Sequence, residues 1–202
     1  MIDDEIEDKS YVYTAENDQL YHNKPLYASK FLGDIQQGVQ TGDTSTTGGQ
    51  GVKTIRIGDQ IRLKNINIRF WLSNKLDRPN CIYKLVLFWY PIGIPPSDVL
   101  VYKTQTNKIL DRYNTDNIKI IDQVIVKSTN NYAVDANNHE HSYLATLNKS
   151  YKNKKIQYDN NGQQPKGWDI GMAVVVYDAY GTLQTDNIAS FAFQSLITFQ
   201  DA

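Results

Sequence analysis

The stretch IGDQIRLKNINIRFWL, from Ile57 to Leu72, places apolar residues at every second position. That is the period of a β-strand with one face buried. The alternation changes parity once: Ile61 and Leu63 are odd, whereas Ile66, Ile68, Phe70 and Leu72 are even. A β-bulge adds one residue and turns a strand's faces over, so one is expected between Leu63 and Ile66. Basic residues, Arg62 and Lys64, fill the positions before the switch.

No helical periodicity of useful length competes with this pattern after residue 20. Runs rich in Val, Ile, Tyr, Phe and Trp predict strands at 26–37, 60–73, 81–91, 118–128, 142–158 with a break, 168–178 and 187–200. A further short strand is expected at 107–112. In the last long strand Ala189, Phe191, Phe193, Ile197 and Phe199 share one parity and Ser190, Gln194, Thr198 and Gln200 the other. One buried and one polar face is the signature of an antiparallel sheet. Long polar connections at 38–53, 92–107 and 129–141 are of a length that is usually functional. Together these features predict an all-β, eight-stranded antiparallel jelly roll of two packed four-stranded sheets. Strand 81–91 is apolar on both faces and so needs a second cover, for which another subunit is the simplest source.

The chain of 202 residues reads as one domain at 26–202 behind an N-terminal leader at 1–25. Its single cysteine, Cys81, excludes an internal disulfide and is expected to pack as a small apolar residue. No apolar run near eighteen residues and no signal-peptide pattern occurs, so no membrane insertion is expected. Residues 1–9, MIDDEIEDK, carry five acids and one Lys, out of totals of 22 acidic and 21 basic residues. The remainder therefore holds 20 basic and 17 acidic residues, a balance too mild to announce a nucleic-acid binder.

Motifs for catalysis are weak. GGQGVKT (Gly48–Thr54) lacks the contiguous Gly-Lys-Ser/Thr and the following helix of a phosphate loop. His139 and His141 stand at alternate positions, as two cupin-type metal ligands would. The next carboxylate is Asp159, and the only other histidine is His22. No serine lies in a nucleophile elbow. Asn148-Lys149-Ser150 matches a glycosylation pattern by coincidence in a chain without a secretory signal. The basic clusters are more informative. Arg56, Arg62 and Lys64 form one; Lys149, Lys152, Lys154 and Lys155, interleaved with Tyr151 and Tyr158, form the other. Such interleaving follows a phosphate backbone while rings stack on bases; a solvated, aggregation-resistant strand face is the bland alternative.

RIGDQIRLKNINIRFWL, preceded by IQQGVQTGDTSTTGGQGVK and followed by YKLVLFWYP, LDRYNTDNIKIIDQVIVK, WDIGMAVVVYD and a terminal FQDA, resembles the single jelly-roll capsid proteins of small viruses. Coat proteins of the satellite tobacco necrosis virus type and capsids of circovirus-like Rep-encoding single-stranded DNA viruses share the pattern. The resemblance covers residues 26–202. It implies a non-enzymatic coat protein made in the host cytoplasm and found in the virion. Sixty copies of it self-assemble into a T=1 icosahedral shell around a single-stranded genome. The host receptor is left open. By the Gly-Asp-Gln-x-Arg match it implies that Arg62 faces nucleic acid, with Lys64, Arg56, Lys152, Lys154 and Lys155 as companions. The bulge would then set Arg62 against the shell interior and Ile66–Leu72 into the core. It also implies calcium at subunit junctions through backbone oxygens of Ile57 and Gln60 and the Asp201 carboxylate, with an ordinary turn and a frayed terminus as the alternative. No cofactor is otherwise required. The chain departs from the family in its acidic start, where an Arg/Lys-rich arm is usual. The competing function is a carbohydrate-binding β-sandwich using exposed rings such as Tyr132 and Trp168, and a third is the cupin-type metalloprotein.

Overall fold

The computed structural model describes residues 7–38, 55–127, 142–159, 164–179, 183 and 185–202. Eight strands and one short helix follow in chain order: β1 (Lys9–Tyr21), β2 (Leu26–Ala28), β3 (Gln60–Asn74), β4 (Cys81–Pro91), α1 (Asp98–Val101), β5 (Lys119–Lys127), β6 (Ser142–Gln157), β7 (Trp168–Asp178) and β8 (Asn187–Asp201). They form two four-stranded sheets, β1-β8-β3-β6 and β2-β7-β4-β5. All pairings are antiparallel, and first pairs with last, second with seventh, third with sixth and fourth with fifth. That is one long hairpin rolled on itself, the jelly roll expected from the strand pattern.

The core lies between the sheets. Ile66, Ile68, Phe70 and Leu72 of β3 and Phe191, Phe193, Ile197 and Phe199 of β8 meet Tyr83, Leu85, Leu87 and Trp89 of β4 and Ile170, Met172, Val174 and Val176 of β7. The bulge is present: register shifts between Leu63 and Asn65 against both neighbouring strands, leaving Lys64 as the extra residue. Its effect is the reverse of a change of face. Ile61 and Leu63 are as fully buried as Ile66 and Ile68, in the same core. The extra residue cancels the parity slip in the sequence, so one apolar face runs unbroken along β3. On the facing strand β6, residues 151–153 oppose Lys64 alone, and Asn153 turns the chain at φ 52. Asn tolerates this left-handed conformation better than most side chains.

Three expectations are corrected. The segment read as leader supplies β1 from Lys9 onward, paired along β8. Its alternation is obscured because Asn17 (φ 57) sits in an irregularity between Ala15 and Asp18. Second, the strand at 26–37 stops at Ala28. Lys30 adopts φ 62, and the amides of Leu32 and Gly33 donate to the Asp169 carboxylate at 2.9 and 3.2 Å. Third, the second cover of β4 comes from within the chain. The connection from β4 to β5 folds back over Val86, Phe88 and Tyr90, packing Leu100, Val101, Tyr102 and Ile118 on them. Ser97 starts α1 by accepting from the Leu100 amide, and 107–112 is a turn rather than a strand. Lys84, on the same face, is buried with its Nζ donating to the carbonyls of Lys108 (3.0 Å), Ile109 (3.4 Å) and Asp111 (2.7 Å).

Asp169, the second residue of β7, is almost fully buried. Burial raises its carboxyl to about 6 even though three amides donate to it, from Leu32, Gly33 and Ile170. Its ordinary value is 3.8, so between about pH 4 and 6 the folded state holds more protons than the unfolded one. This group's contribution to stability therefore falls as pH rises through that window and is level above it. Comparison of Asp169→Asn with the parent in urea melts at pH 4.5 and 7 should show the difference: the variant loses that part of the slope.

Candidate nucleic-acid interface

Cross-strand partners share a face, so the register defines the outer surface of the β1-β8-β3-β6 sheet row by row. Arg62 stands between Lys155 on β6 and Gln200 on β8. The next row holds Asn65, Ser150 and Thr198, then Asn67, Asn148 and Leu196, then Arg69, Thr146 and Gln194, then Trp71, Leu144 and Ala192. Every one of these positions has the parity opposite to the buried set. The amides of Asn65 and Asn67 both donate to Asn148 Oδ1, at 3.3 and 3.1 Å, and Asn65 also donates to Ser150 Oγ at 2.9 Å. Trp71 is 58% and Leu144 85% exposed, an apolar pair in the row next to that of Arg69.

The charge on three of this sheet's four strands is one-sided. Strands β3, β6 and β8, adjacent in space, contain seven basic residues and one acid, Asp201. The whole chain is at −1. Arg62 and Lys155 stand directly opposite each other, an arrangement of like charges that costs stability unless an anion lies between them. A surface that combines cations, amide edges and an exposed indole can hold phosphates, hydrogen-bond base edges and stack a base.

The residues expected at such a surface divide. Arg62 and Lys155 form one row. Lys152 is exposed in the β6 bulge, and Lys64, the extra residue of β3, is half-buried beside it. Lys154 is exposed but wraps the sandwich edge, its ammonium 5.3 Å from the Trp89 ring centroid. Arg56 does not belong. It is fully buried, its guanidinium 3.7 Å over the Tyr158 ring, with Nε donating to Ile35 O and Nη1 to Gly58 O. It braces the chain on either side of the 39–54 connection, because its guanidinium donates to one carbonyl before it, Ile35 O, and one after it, Gly58 O. Arg69 and Trp71 were not among the expected residues. Their parity, opposite to Ile68, Phe70 and Leu72, is the signal that marks them.

Ile57, Gln60 and Asp201 do converge, joined to one another through protein hydrogen bonds and an ion pair. Asp201 Oδ1 accepts from the Ile57 amide at 2.8 Å, and its Oδ2 is paired with the Lys9 ammonium. Lys9 also donates to Ile55 O at 3.0 Å, and Gln60 O accepts from the Ala202 amide. Calcium takes roughly six to eight oxygen ligands; here both oxygens of the Asp201 carboxylate are engaged by protein donors, the Ile57 amide and the Lys9 ammonium. Lys9 is the clasp that ties the start of β1 to the end of β8, with its side chain 8% exposed. Lys9→Ala should cost about 3 kcal/mol, since Asp201 is left part-buried with its main partner gone; a denaturant melt measures it.

Other candidates recede. Cys81 is buried, and burial pushes its thiol up to about 12, away from a nucleophile's range. Trp168 is half-buried, and the Lys119 ammonium lies 4.5 Å over its ring, where a sugar would stack. His22 is buried, and its Nδ1 accepts from the Asp178 amide. His139, His141, Tyr132 and the Gly48–Thr54 loop lie outside the described residues. Among the described residues no group of three or more His, Cys, Asp or Glu is placed to hold a metal. No helix among them is long and apolar enough to cross a membrane.

No protein-family model and no curated protein sequence matches the chain. Solved structures do resemble it. The chain is similar to a structure of Desmodium yellow mottle tymovirus, at 9% identity and TM-score 0.39 over 96% of this chain and 87% of that one. It is similar to mud crab dicistrovirus at 12% identity and TM-score 0.34, over 95% and 68%. It is similar also to the VP2 subviral particle of infectious bursal disease virus at 13% and 0.30, over 96% and 37%. At such values the likeness carries no function from those particles to this chain.

Proposed function

We propose that this chain is a viral capsid protein: a non-enzymatic jelly-roll subunit that self-assembles into a closed shell around a nucleic acid. The outward rows that hold Arg62, Lys155 and Arg69, with Lys152 exposed in the bulge beside them and no acid in those rows, carry this reading, because they give one face of the sandwich a reason to meet a polyanion. The roll itself supplies a rigid body whose loops cluster at its ends, suited to heterologous contacts that close under rotation. The family resemblance of the sequence supports the finer form: sixty copies in a T=1 shell, a single-stranded genome, synthesis in the host cytoplasm and residence in the virion. In this reading the β1-β8-β3-β6 face is turned inward, with Arg62 and Lys155 on phosphates.

Light scattering and negative-stain microscopy of the purified protein, across salt and with a single-stranded oligonucleotide, test both halves. Closed particles of uniform size are expected, together with oligonucleotide binding that weakens steeply with salt. Reversing Arg62 and Lys155 to Glu should lower affinity at least tenfold. Losing two phosphate contacts should reduce the slope of log affinity against log salt by about 1.4. A protein that stays monomeric or dimeric under every condition and ignores oligonucleotide refutes the proposal.

A further inference from the structure

The edge of the sandwich between β1 and β2 holds a cavity of about 300 Å³, at the small end of ligand pockets. Its walls are aromatic. Tyr11 and Tyr13 of β1 and Phe193 of β8 line it from one sheet, and Tyr27 of β2 and Phe31, just beyond that strand, line it from the other side. The rings of Tyr13 and Phe193 meet at 47° and those of Phe31 and Phe193 at 64°, so they stand as angled walls rather than stacked plates. The Tyr27 hydroxyl donates to the Asp98 carboxylate, which holds that ring in place. Phe31 and Phe193 are buried whereas Tyr13 is exposed, so the floor is apolar and the mouth open to solvent. The opening lies where β1 slips register between Ala15 and Asp18 and where the chain leaves β2 after Ala28, Lys30 taking φ 62. Two acids share this space, Asp18 of β1 and Asp34 of the turn after β2. No hydrogen bond or ion pair among the described residues engages either carboxylate, and no basic residue among them lines the cavity. Lys30 attracts Asp34 without pairing with it. Two unpaired carboxylates against aromatic walls leave the cavity short of a cation.

We propose that this cavity binds a small organic cation of the alkylammonium class, the rings lying against its alkylated head and Asp18 and Asp34 supplying the counter-charge. An ammonium wrapped in methyl or methylene groups spreads its charge over a surface that aromatic rings can cover. A calcium ion gains less there, since rings do not replace its oxygen ligands. The site lies at the β1/β2 edge, apart from the basic rows, and does not depend on what that face binds.

Calorimetric titration of the full chain with choline, at fixed ionic strength, tests the site. Dimethylbutanol serves as the neutral isostere, in which carbon replaces the ammonium nitrogen. Choline should bind in the millimolar range and dimethylbutanol about tenfold more weakly or worse. Asp18→Asn and Asp34→Asn together should weaken choline about tenfold and leave dimethylbutanol within about twofold. Tyr13→Leu should weaken choline about threefold. Asp77→Asn with Asp116→Asn, exposed acids elsewhere on the chain, should change it by less than about twofold. The comparison of choline with its isostere uses the parent protein, so it holds even where a variant does not fold. Absence of choline binding overturns the proposal. Equal affinity for choline and dimethylbutanol also overturns it, because the cavity is then a plain apolar cleft. So does undiminished choline binding by a folded Asp18/Asp34 double variant, which would take the counter-charge away from these two acids.

Discussion

Deleting Asn67 should leave no folded protein, whereas deleting Lys64, three residues earlier, should leave one. A strand's side chains alternate with a period of two, so loss of a residue flips everything on one side of the deletion. Without Asn67, either Ile68, Phe70 and Leu72 or Ile61, Leu63 and Ile66 turn to solvent, and the polar set that includes Arg69 or Arg62 turns into the core. Exposing three such residues costs about 1.5–3 kcal/mol each before the buried charge is counted. That is of the order of a whole domain's stability, about 5–15 kcal/mol. Lys64 differs because it is the residue the register already skips. With it removed, Leu63 and Asn65 become consecutive, matching Phe199 and Thr198 on β8, which pair with them now. The expected cost is about 1–2 kcal/mol, from refitting residues 151–153 of β6 opposite the gap. Circular dichroism melts of the two deletions decide the matter. An unfolded Lys64 deletion would mean that β6, not β8, dictates the bulge.

Lys84→Met should lower stability by about 3–5 kcal/mol, the scale for removing one partner from a buried charged network. Burial lowers the lysine's proton affinity, yet three carbonyls of the 108–111 turn converge on its Nζ. The Tyr113 and Tyr102 ring centroids lie 4.5 and 5.5 Å away. Methionine fills the space but donates nothing, which leaves those carbonyls unpaired at about 1–3 kcal/mol apiece. The lost interactions are those that seat the β4–β5 connection on the sheet. Limited proteolysis should therefore cut between residues 92 and 118 in the variant and spare the parent. Lys103→Met, in the same connection but exposed, should change stability by less than about 0.5 kcal/mol. Equal protease resistance in the parent and the Lys84 variant would show that apolar packing of Leu100, Val101 and Ile118 holds the connection by itself.

Strands with one wet and one dry face announce themselves in the sequence. β3, β4, β7 and β8 are readable within a residue or two at either end, because period-two alternation or a continuous apolar run leaves no helical alternative. The bulge was legible as well, since a single extra residue is what reverses parity inside a strand that has no turn. β1 was not: more than half of its residues are exposed, as befits an edge strand, and its irregularity at Asn17 breaks the pattern. Its acids also invite reading as a solvated leader. The placement of Arg56 was illegible for a different reason. An arginine between a polar loop and a strand looks exposed, and only the Tyr158 ring and the two carbonyls, brought from distant positions, make its burial tolerable.

Local alternation and apolar content, properties of neighbours in the chain, are therefore what determined the all-β class, most strand positions and the outward parity of Arg62, Arg69 and Trp71. Three features depended on the rolled hairpin. It turned the slip at Lys64 into one continuous apolar face, because β8 carries no extra residue to match it. It let the chain cover its own β4, where a second subunit was expected. And it gathered cations from β3 and β6, about eighty residues apart, beside a β8 almost free of acid. A near-neutral chain thereby acquires a strongly basic face, since net charge is a sum over sequence whereas an electrostatic surface is a sum over space.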